Sequence, residues 1–268
     1  MSSSIELVAL DVDGTLLTSD HRISRATQAA LQRVHDGGVT VLPVTSRGAV
    51  AMRSVMSLAV PLRSQTFVAA QGALVGSYGA DERLRIIERH PAALEPSREL
   101  VRLACAHGMT AHWFTGHDWF VSALDDSVRE EARAVGADPV VEDLDALDAA
   151  PEKLMLIAPP RNPGLLDRVR ARLPDGLQAS VSHPGFLEIT RSGVDKGWAV
   201  ARYCRARGIA AAQVLAIGDG PNDLPLFAFA GTAVAPANAR SEVRSAATMV
   251  TSDNDHDGVA EALDAFIA

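Results

Sequence analysis

Asp11 and Asp13 stand one residue apart at the end of a strongly apolar run, IELVAL, and are followed by Gly14 and Thr15. Like charges that close disfavour each other's ionised form, so the pair needs a partner. A second polar group, Asp219, Asn222 and Asp223 within GDGPND, follows another apolar run, QVLAI. Thr45, Ser46 and Arg47 follow VTVLPV, and Lys196 opens a helical stretch, DKGWAVARYCRARG. Taken singly, each has a plain reading: a turn for Asp11 and Asp13, a helix cap or first turn for Thr45, Asn222 and Asp223, a solvated surface position for Lys196. Together they point to chemistry. Three or four mutually repelling carboxylates call for a cation, and an all-oxygen donor set with few direct carboxylates favours Mg2+ over Ca2+. Lys196, placed against the positive end of a helix dipole, calls for an anion. A nucleophile, an acid/base group, a hydroxyl, a lysine and a metal make a phosphoryl-transfer set in which a carboxylate can be phosphorylated.

Such residues can meet only if the strands before them end side by side. Residues 5–10, 39–44 and 66–70 read as buried strands. Ser24 caps an intervening helix with Ala26, Ala30 and Val34 on one face, Gly37 and Gly38 stop it, and RGAVAMRSVMSLAV reads as a second helix closed by Pro61. That alternation is the grammar of a parallel sheet covered on both faces, whose ligands bind beyond the carboxyl ends of its strands. After about residue 80 it changes. PSRELVRLACAHG is helical, TAHWFTGHDWFVSAL reads as two strands around Thr115 and Gly116, EKLMLIA as a strand, PGLLDRVRARL as a helix, and LQASVSH with GFLEIT as a hairpin. The first grammar then returns through QVLAIG, PNDLPLFAFAG, TAVAPAN, ATMVTS and GVAEALDAFIA. The expected organisation is an α/β domain of residues 1–80 and 189–268, split by an inserted α+β module of residues 81–188.

Composition excludes several other classes. The chain has 268 residues, 47% apolar and 22% charged, as expected of a globular protein. A net charge of -8 without a basic stripe argues against broad nucleic-acid binding. Cys105 and Cys204 lie far apart and lack metal or redox spacing. MSSSIE has no signal-peptide pattern and no run is apolar enough to span a membrane, so a cytoplasmic, soluble protein is expected.

The motifs resemble those of haloacid dehalogenase superfamily phosphatases of the Cof-type branch. DVDGT (11–15), VTSR (44–47), GVDKG (193–197) and GDGPND (218–223) are similar to that family's four motifs in order, and VAPANA (234–239) and TSDNDHDGVAEAL (251–263) resemble its closing pattern. The resemblance implies a Rossmann-like core of strand order 5-4-1-2-3 with a C2-type cap inserted between motifs two and three. It implies Asp11 as nucleophile and Asp13 as general acid and base. It also implies Mg2+ on Asp11, the backbone carbonyl of Asp13 and Asp219, with Thr45, Ser46, Arg47, Lys196 and Asn222 binding phosphate or substrate. Asp223 is implied near the metal's outer shell or orienting Lys196. Ser46 stands where the family usually has Gly, Gln71 where it usually has Asn, and Pro221 and Pro225 stiffen the fourth motif.

The activity this implies is Mg2+-dependent hydrolysis of a small phosphorylated metabolite, a sugar phosphate being the leading candidate. A phosphomutase of the same fold is the near alternative. A phospho-accepting regulatory module is the distant one, and it gives no reason for a ~100-residue lid or for an acid/base group beside the nucleophile. DNDHDGVAEALD (253–264) imitates a calcium loop, but Asp264 stands where a bidentate Glu belongs and a strand-like run precedes it. His112 and His117 invite a zinc reading, but with no cysteine nearby they read better as insertion surface. The insertion's aromatic residues, Trp113 and Trp119 among them, suit a homodimer contact as well as a pocket.

Overall fold

The computed structural model describes residues 4–63, 65–159, 162, 164–180 and 185–267. The chain opens with β1 (Leu7–Leu10), α1 (Arg25–Asp36), β2 (Thr40–Pro43), α2 (Met52–Ser57), β3 (Thr66–Ala69), β4 (Leu74–Tyr78) and β5 (Leu84–Arg89). There follow α3 (Leu94–Ala106), β6 (Thr110–Thr115), β7 (Asp118–Val121), α4 (Asp126–Val135), β8 (Val140–Val141), β9 (Lys153–Ile157), α5 (Leu165–Arg170), β10 (Leu177–Ser180) and β11 (Phe186–Arg191). The last part holds α6 (Lys196–Arg207), β12 (Val214–Ile217), α7 (Leu224–Phe229), β13 (Thr232–Pro236), α8 (Ser241–Ala246), β14 (Met249–Thr251) and α9 (Gly258–Phe266).

Two distant pieces of chain build one parallel sheet of order β14-β13-β12-β1-β2, which a single parallel bridge between Val44 and Val68 extends to β3. This is the expected 5-4-1-2-3 order with β14 added at one edge. Both faces are covered. Val8, Leu10, Leu215 and Ile217 pack with residues of α1, α2 and α9. Leu7, Ala9, Val214 and Ala216 pack with residues of α6, α7 and α8. A strand buried on both sides must be apolar throughout, which is why β1 and β12 read as uninterrupted runs. Ser24 caps α1 by accepting from Thr27 N, as its position foretold. The buried face of that helix is Thr27, Ala30, Leu31 and Val34, while Ala26 is exposed. The reading of one face through Ala26 was therefore off by a residue.

A second sheet, β10-β11-β9-β6-β7-β8, lies between the two pieces in sequence and is antiparallel except at β7–β8. One of its faces packs under α3 and α5 around Trp113. The other, with Phe114, Trp119, Val121 and Met155, meets α4 and reaches Val50 and Ala51 of the parallel-sheet part. The expected hairpins 110–124 and 177–191 are both present in register, residues 181–184 lying outside the described ones. The β4–β5 hairpin pairs with β3 in a third sheet and crosses the residue-80 boundary. Trp113 and Trp119 are 0% and 2% exposed, so neither can serve a dimer contact. No helix among the described residues is long and apolar enough to cross a membrane.

Candidate active site

Leu10 of β1 pairs in parallel register with Ile217 of β12 on one side and Pro43 of β2 on the other. The three strands therefore end level, and residues one or two positions beyond them, Asp11, Asp219 and Thr45, open onto one edge of the sheet. The chain leaves β1 through a tight turn, Val12–Leu16, in which Gly14 takes φ +75°. A Cβ at Gly14 would lie 2.6 Å from Asp219 Oδ2, so only glycine lets the two acidic loops approach this closely. Thr15 Oγ1 donates to Asp219 Oδ1 at 3.0 Å and fixes that carboxylate.

Asp11, Asp219 and Asp223 bring ligand oxygens within 4.8 Å of one another. Lys196, 1% exposed, donates to Asp11 Oδ1 and Asp223 Oδ1, each at 2.7 Å. It is delivered by the first turn of α6, where Asp195 accepts from Trp198 N at 2.8 Å. Pro225 falls in the first turn of α7, where its missing N–H is no loss, so the helix survives it. Burial would press Lys196 down, but Asp11 and Asp223 hold its ammonium above the usual value. Burial, then the Asp223 charge, push the Asp11 carboxyl well above its ordinary range despite the pull of Lys196. Asp219 is raised by the same two causes. One lysine does not balance three carboxylates, and a hard divalent cation fits the remaining charge and the all-oxygen donors. Asp223 spends Oδ2 on the backbone N–H groups of Asp219 and Gly220, at 3.1 and 3.0 Å. It thereby shapes the loop and orients Lys196, leaving Asp11 and Asp219 as the freer carboxylates.

Asp13 turns its carboxylate out of this cluster and toward Arg47, whose Nε and a terminal nitrogen donate to its two oxygens at 2.8 and 2.5 Å. Arg47, expected at phosphate or substrate, thus stands first on the expected acid/base group. Thr45 is fully buried and its hydroxyl accepts from Arg47 N at 3.1 Å. Asn222 donates to Gln71 Oε1 at 3.3 Å, beside the cluster rather than in it.

A cavity of about 540 Å3 opens over these groups. Asp13, Ser46, Arg47 and Asp219 line it from the parallel-sheet side, and Phe114, Trp119, Glu131, Lys153 and Glu188 from the second sheet and α4. Lys153 Nζ donates to the Ser46 carbonyl at 2.7 Å and to Glu188 Oε1 at 2.8 Å. Gln71 donates to the other oxygen of Glu188. Sequence reading did not find Glu131, Lys153 or Glu188. An N-cap at Asp125, which accepts from Val128 N at 2.9 Å, was the available signal for α4 and hence for Glu131. Lys153 and Glu188 are buried charges within strand-like runs, and nothing in the sequence pairs them.

The calcium-loop and zinc readings both fall away. The run before Asp253 is strand β14, and the loop's carboxylates point apart: Asp255 accepts from Ser19, Asp257 from Ser24. His112 is wholly buried rather than at the surface, its Nδ1 accepting from Trp119 Nε1 at 3.1 Å, while His117 is exposed in the turn.

The haloacid dehalogenase-like hydrolase family model matches residues 8–263, nearly the whole chain. The chain belongs to this family. YxeH of Bacillus subtilis (strain 168) is 30% identical over 269 residues, covering 96% of this chain and 97% of the relative. The 5-amino-6-(5-phospho-D-ribitylamino)uracil phosphatase YcsE of the same organism is 28% identical, with 97% and 94% covered. Among solved structures, BT1666 of Bacteroides thetaiotaomicron, one of the phosphatases of the haloalkanoate (HAD) superfamily, superposes with a TM-score of 0.81 at 26% identity, covering 98% of this chain and 95% of that one. The protein is a hydrolase of phosphoric monoesters, and its acidic cluster can hold a divalent cation.

Proposed function

We propose that the protein hydrolyses a small phosphorylated metabolite with Mg2+ through a phosphorylated Asp11. The observation that carries this reading is the buried Asp11–Lys196–Asp223 cluster, with Asp219 beside it, at the level ends of β1 and β12. Lys196 occupies Asp11 Oδ1, which leaves Oδ2 for in-line attack on phosphorus. Lys196 and the Thr45 hydroxyl hold phosphate oxygens. Asp11, the Asp13 carbonyl and Asp219 would hold the ion, which when bound supplies charge neutralisation between nucleophile and phosphate. Asp13 gives a proton to the leaving oxygen as the ester bond breaks. The now ionised Asp13, in the form that pairs with Arg47, takes a proton from the water that attacks the aspartyl phosphate. Phosphate leaves and Asp11 is restored.

Residues 81–188 act as the cap over this site, and the β4–β5 hairpin spans the point of entry. The similarity to a named metabolite phosphatase supports a small substrate, with sugar phosphates among the esters to test, and a cytoplasmic setting belongs to the same reading. The homodimer expectation now rests on Val140 and Val141, 53% and 52% exposed on edge strand β8. Phosphate release from a panel of esters with Mg2+ should be measured for wild type and Asp11→Asn. Release by the wild type and none by the variant is expected; cleavage of no ester, or full activity in the variant, ends the reading. Labelled oxygen from water appearing in the released phosphate separates a hydrolase from a mutase.

A further inference from the structure

Two neighbouring acidic side chains of α4, Glu130 and Glu131, line the cavity without a side-chain partner among the described residues, and of the two only Glu131 is withdrawn from solvent. It is half-buried on α4 and lines the same cavity as Asp13 and Arg47. The cations nearby are already engaged. Arg47 is forked onto Asp13, and Lys153 spans Glu188 and the Ser46 carbonyl. Glu188, the other buried carboxylate of the wall, has one oxygen on Lys153 and the other on Gln71. The Glu131 carboxylate has no hydrogen bond to a described residue and no cation within 4 Å among them. Burial holds its carboxyl above the usual value, and the charges of Glu188 and Asp13 add to this against the pull of Lys153 and Arg47. A partly desolvated carboxylate without a partner destabilises the fold it sits in, and such positions are where activity and stability trade against each other. Phe114 and Trp119 line the same cavity, their ring centres 5.5 Å apart; they pack against the apolar side of α4, and Lys153 Nζ lies 4.6 Å from the Phe114 ring centre.

We propose that Glu131 is a specificity-determining residue of this cavity: its carboxylate accepts a hydrogen bond from a hydroxyl or ammonium group on the substrate's leaving group and turns away esters that carry a second anion there. The assignment rests on the phosphatase reading. It narrows the substrate class to phosphomonoesters of polyols, sugars or amino alcohols.

Four esters of similar size test it: propyl phosphate, glycerol 3-phosphate, phosphoethanolamine and 3-phosphoglycerate, each with Mg2+. For the wild type, kcat/KM should be highest on glycerol 3-phosphate or phosphoethanolamine and lowest on 3-phosphoglycerate. In Glu131→Ala the preference for a donor-bearing ester over propyl phosphate should shrink by about 10- to 100-fold, the range a charge-assisted hydrogen bond spans. Glu131→Gln, which removes the charge and keeps the shape, should raise kcat/KM on 3-phosphoglycerate relative to propyl phosphate. Both variants should melt no lower than the wild type, because no partner is lost. An unchanged preference in Glu131→Ala, an equal fall on all four esters, or a lowered melting temperature overturns the assignment. If the wild type cleaves these esters and Asp11→Asn does not, the phosphatase reading stands however Glu131 behaves. A wild type that cleaves no phosphomonoester removes both.

Discussion

Lys196 is among the largest fully buried side chains of the protein, and its ammonium touches two carboxylates that have no other ion-pair partner among the described residues. Lys196→Met should therefore do more than abolish turnover. It strands Asp11 and Asp223 as uncompensated buried charges, which costs about 3–5 kcal/mol when a buried pair is broken from one side. Urea unfolding in the absence of divalent ions should show that loss. Adding Mg2+ should restore more stability to the variant than to the wild type, because an ion that binds only the native state stabilises it by mass action. A variant as stable as the wild type without Mg2+ would mean the cluster is not the charge-dense site described. This part of the site was legible in the sequence because each member sits directly after an apolar strand or at a helix start. What was not legible is who pairs with whom. Arg47, expected at phosphate or substrate, also grips Asp13, a contact across 34 positions set by how β1 and β2 end side by side.

The inserted stretch shows how elements hide their residues. Strand β6 alternates: Ala111 and Trp113 pack under α3 and α5, while His112 and Phe114 lie on the other face, Phe114 against α4 and the cavity. Two aromatic-rich strands around a Thr-Gly turn were readable as a hairpin, but which histidine went inside was not, since His112 and His117 look equivalent until register is fixed. The elements β4, β5, α4, β8 and α8 went unread: β4 is interrupted by Gly76, β8 has two residues, and α4 is highly charged. His112 carries a pH consequence. Burial, assisted by Lys153, lowers its pKa to about 3, and its Nε2 has no partner among the described residues. An unfolded histidine titrates near 6.5, so between those values the unfolded chain binds the extra proton and the folded one does not. The stability this neutral histidine contributes is complete above about pH 6.5 and falls as pH drops toward 3, by about 1.4 kcal/mol per pH unit across the middle of that window. His112→Gln keeps an acceptor for Trp119 and should flatten the acid side of the curve. Denaturation midpoints at pH 5 and pH 7 compare the two proteins; equal slopes would show that His112 is protonated in the fold or not the group responsible.

At the scale of the whole molecule, the inserted sheet and the parallel sheet are joined by buried charge. Lys153 of β9 and Glu188 of β11 are 2% exposed each, and between them they reach the Ser46 carbonyl and the Gln71 amide on the other side of the cavity. Gln71 in turn accepts from Asn222, so one chain of hydrogen bonds runs from the inserted strands to the loop that carries Asp219. Gly48 makes the approach tight as well, since a Cβ there would lie 2.6 Å from the Phe114 ring. An ion pair this dry is weak support for stability in itself, but breaking it from one side is expensive. Lys153→Met should lose about 3–5 kcal/mol by leaving Glu188 charged and the Ser46 carbonyl unmet, and Glu188→Gln should lose about as much, because it leaves the Lys153 ammonium unpaired and turns an amide N–H toward the Gln71 donor. The double variant should then be more stable than the sum of the two losses predicts, with a coupling in the range of about 0.5–3 kcal/mol found for residues in one network. Chemical denaturation of all four proteins gives that number. kcat/KM for one fixed ester gives a second cycle, and a bridge that sets the Ser46 loop over the nucleophile should couple there too. Losses that simply add in both measurements would mean that the two sheets are held together by the apolar contact around Phe114 and Ala51 alone, and that the charges crossing the cavity merely satisfy one another.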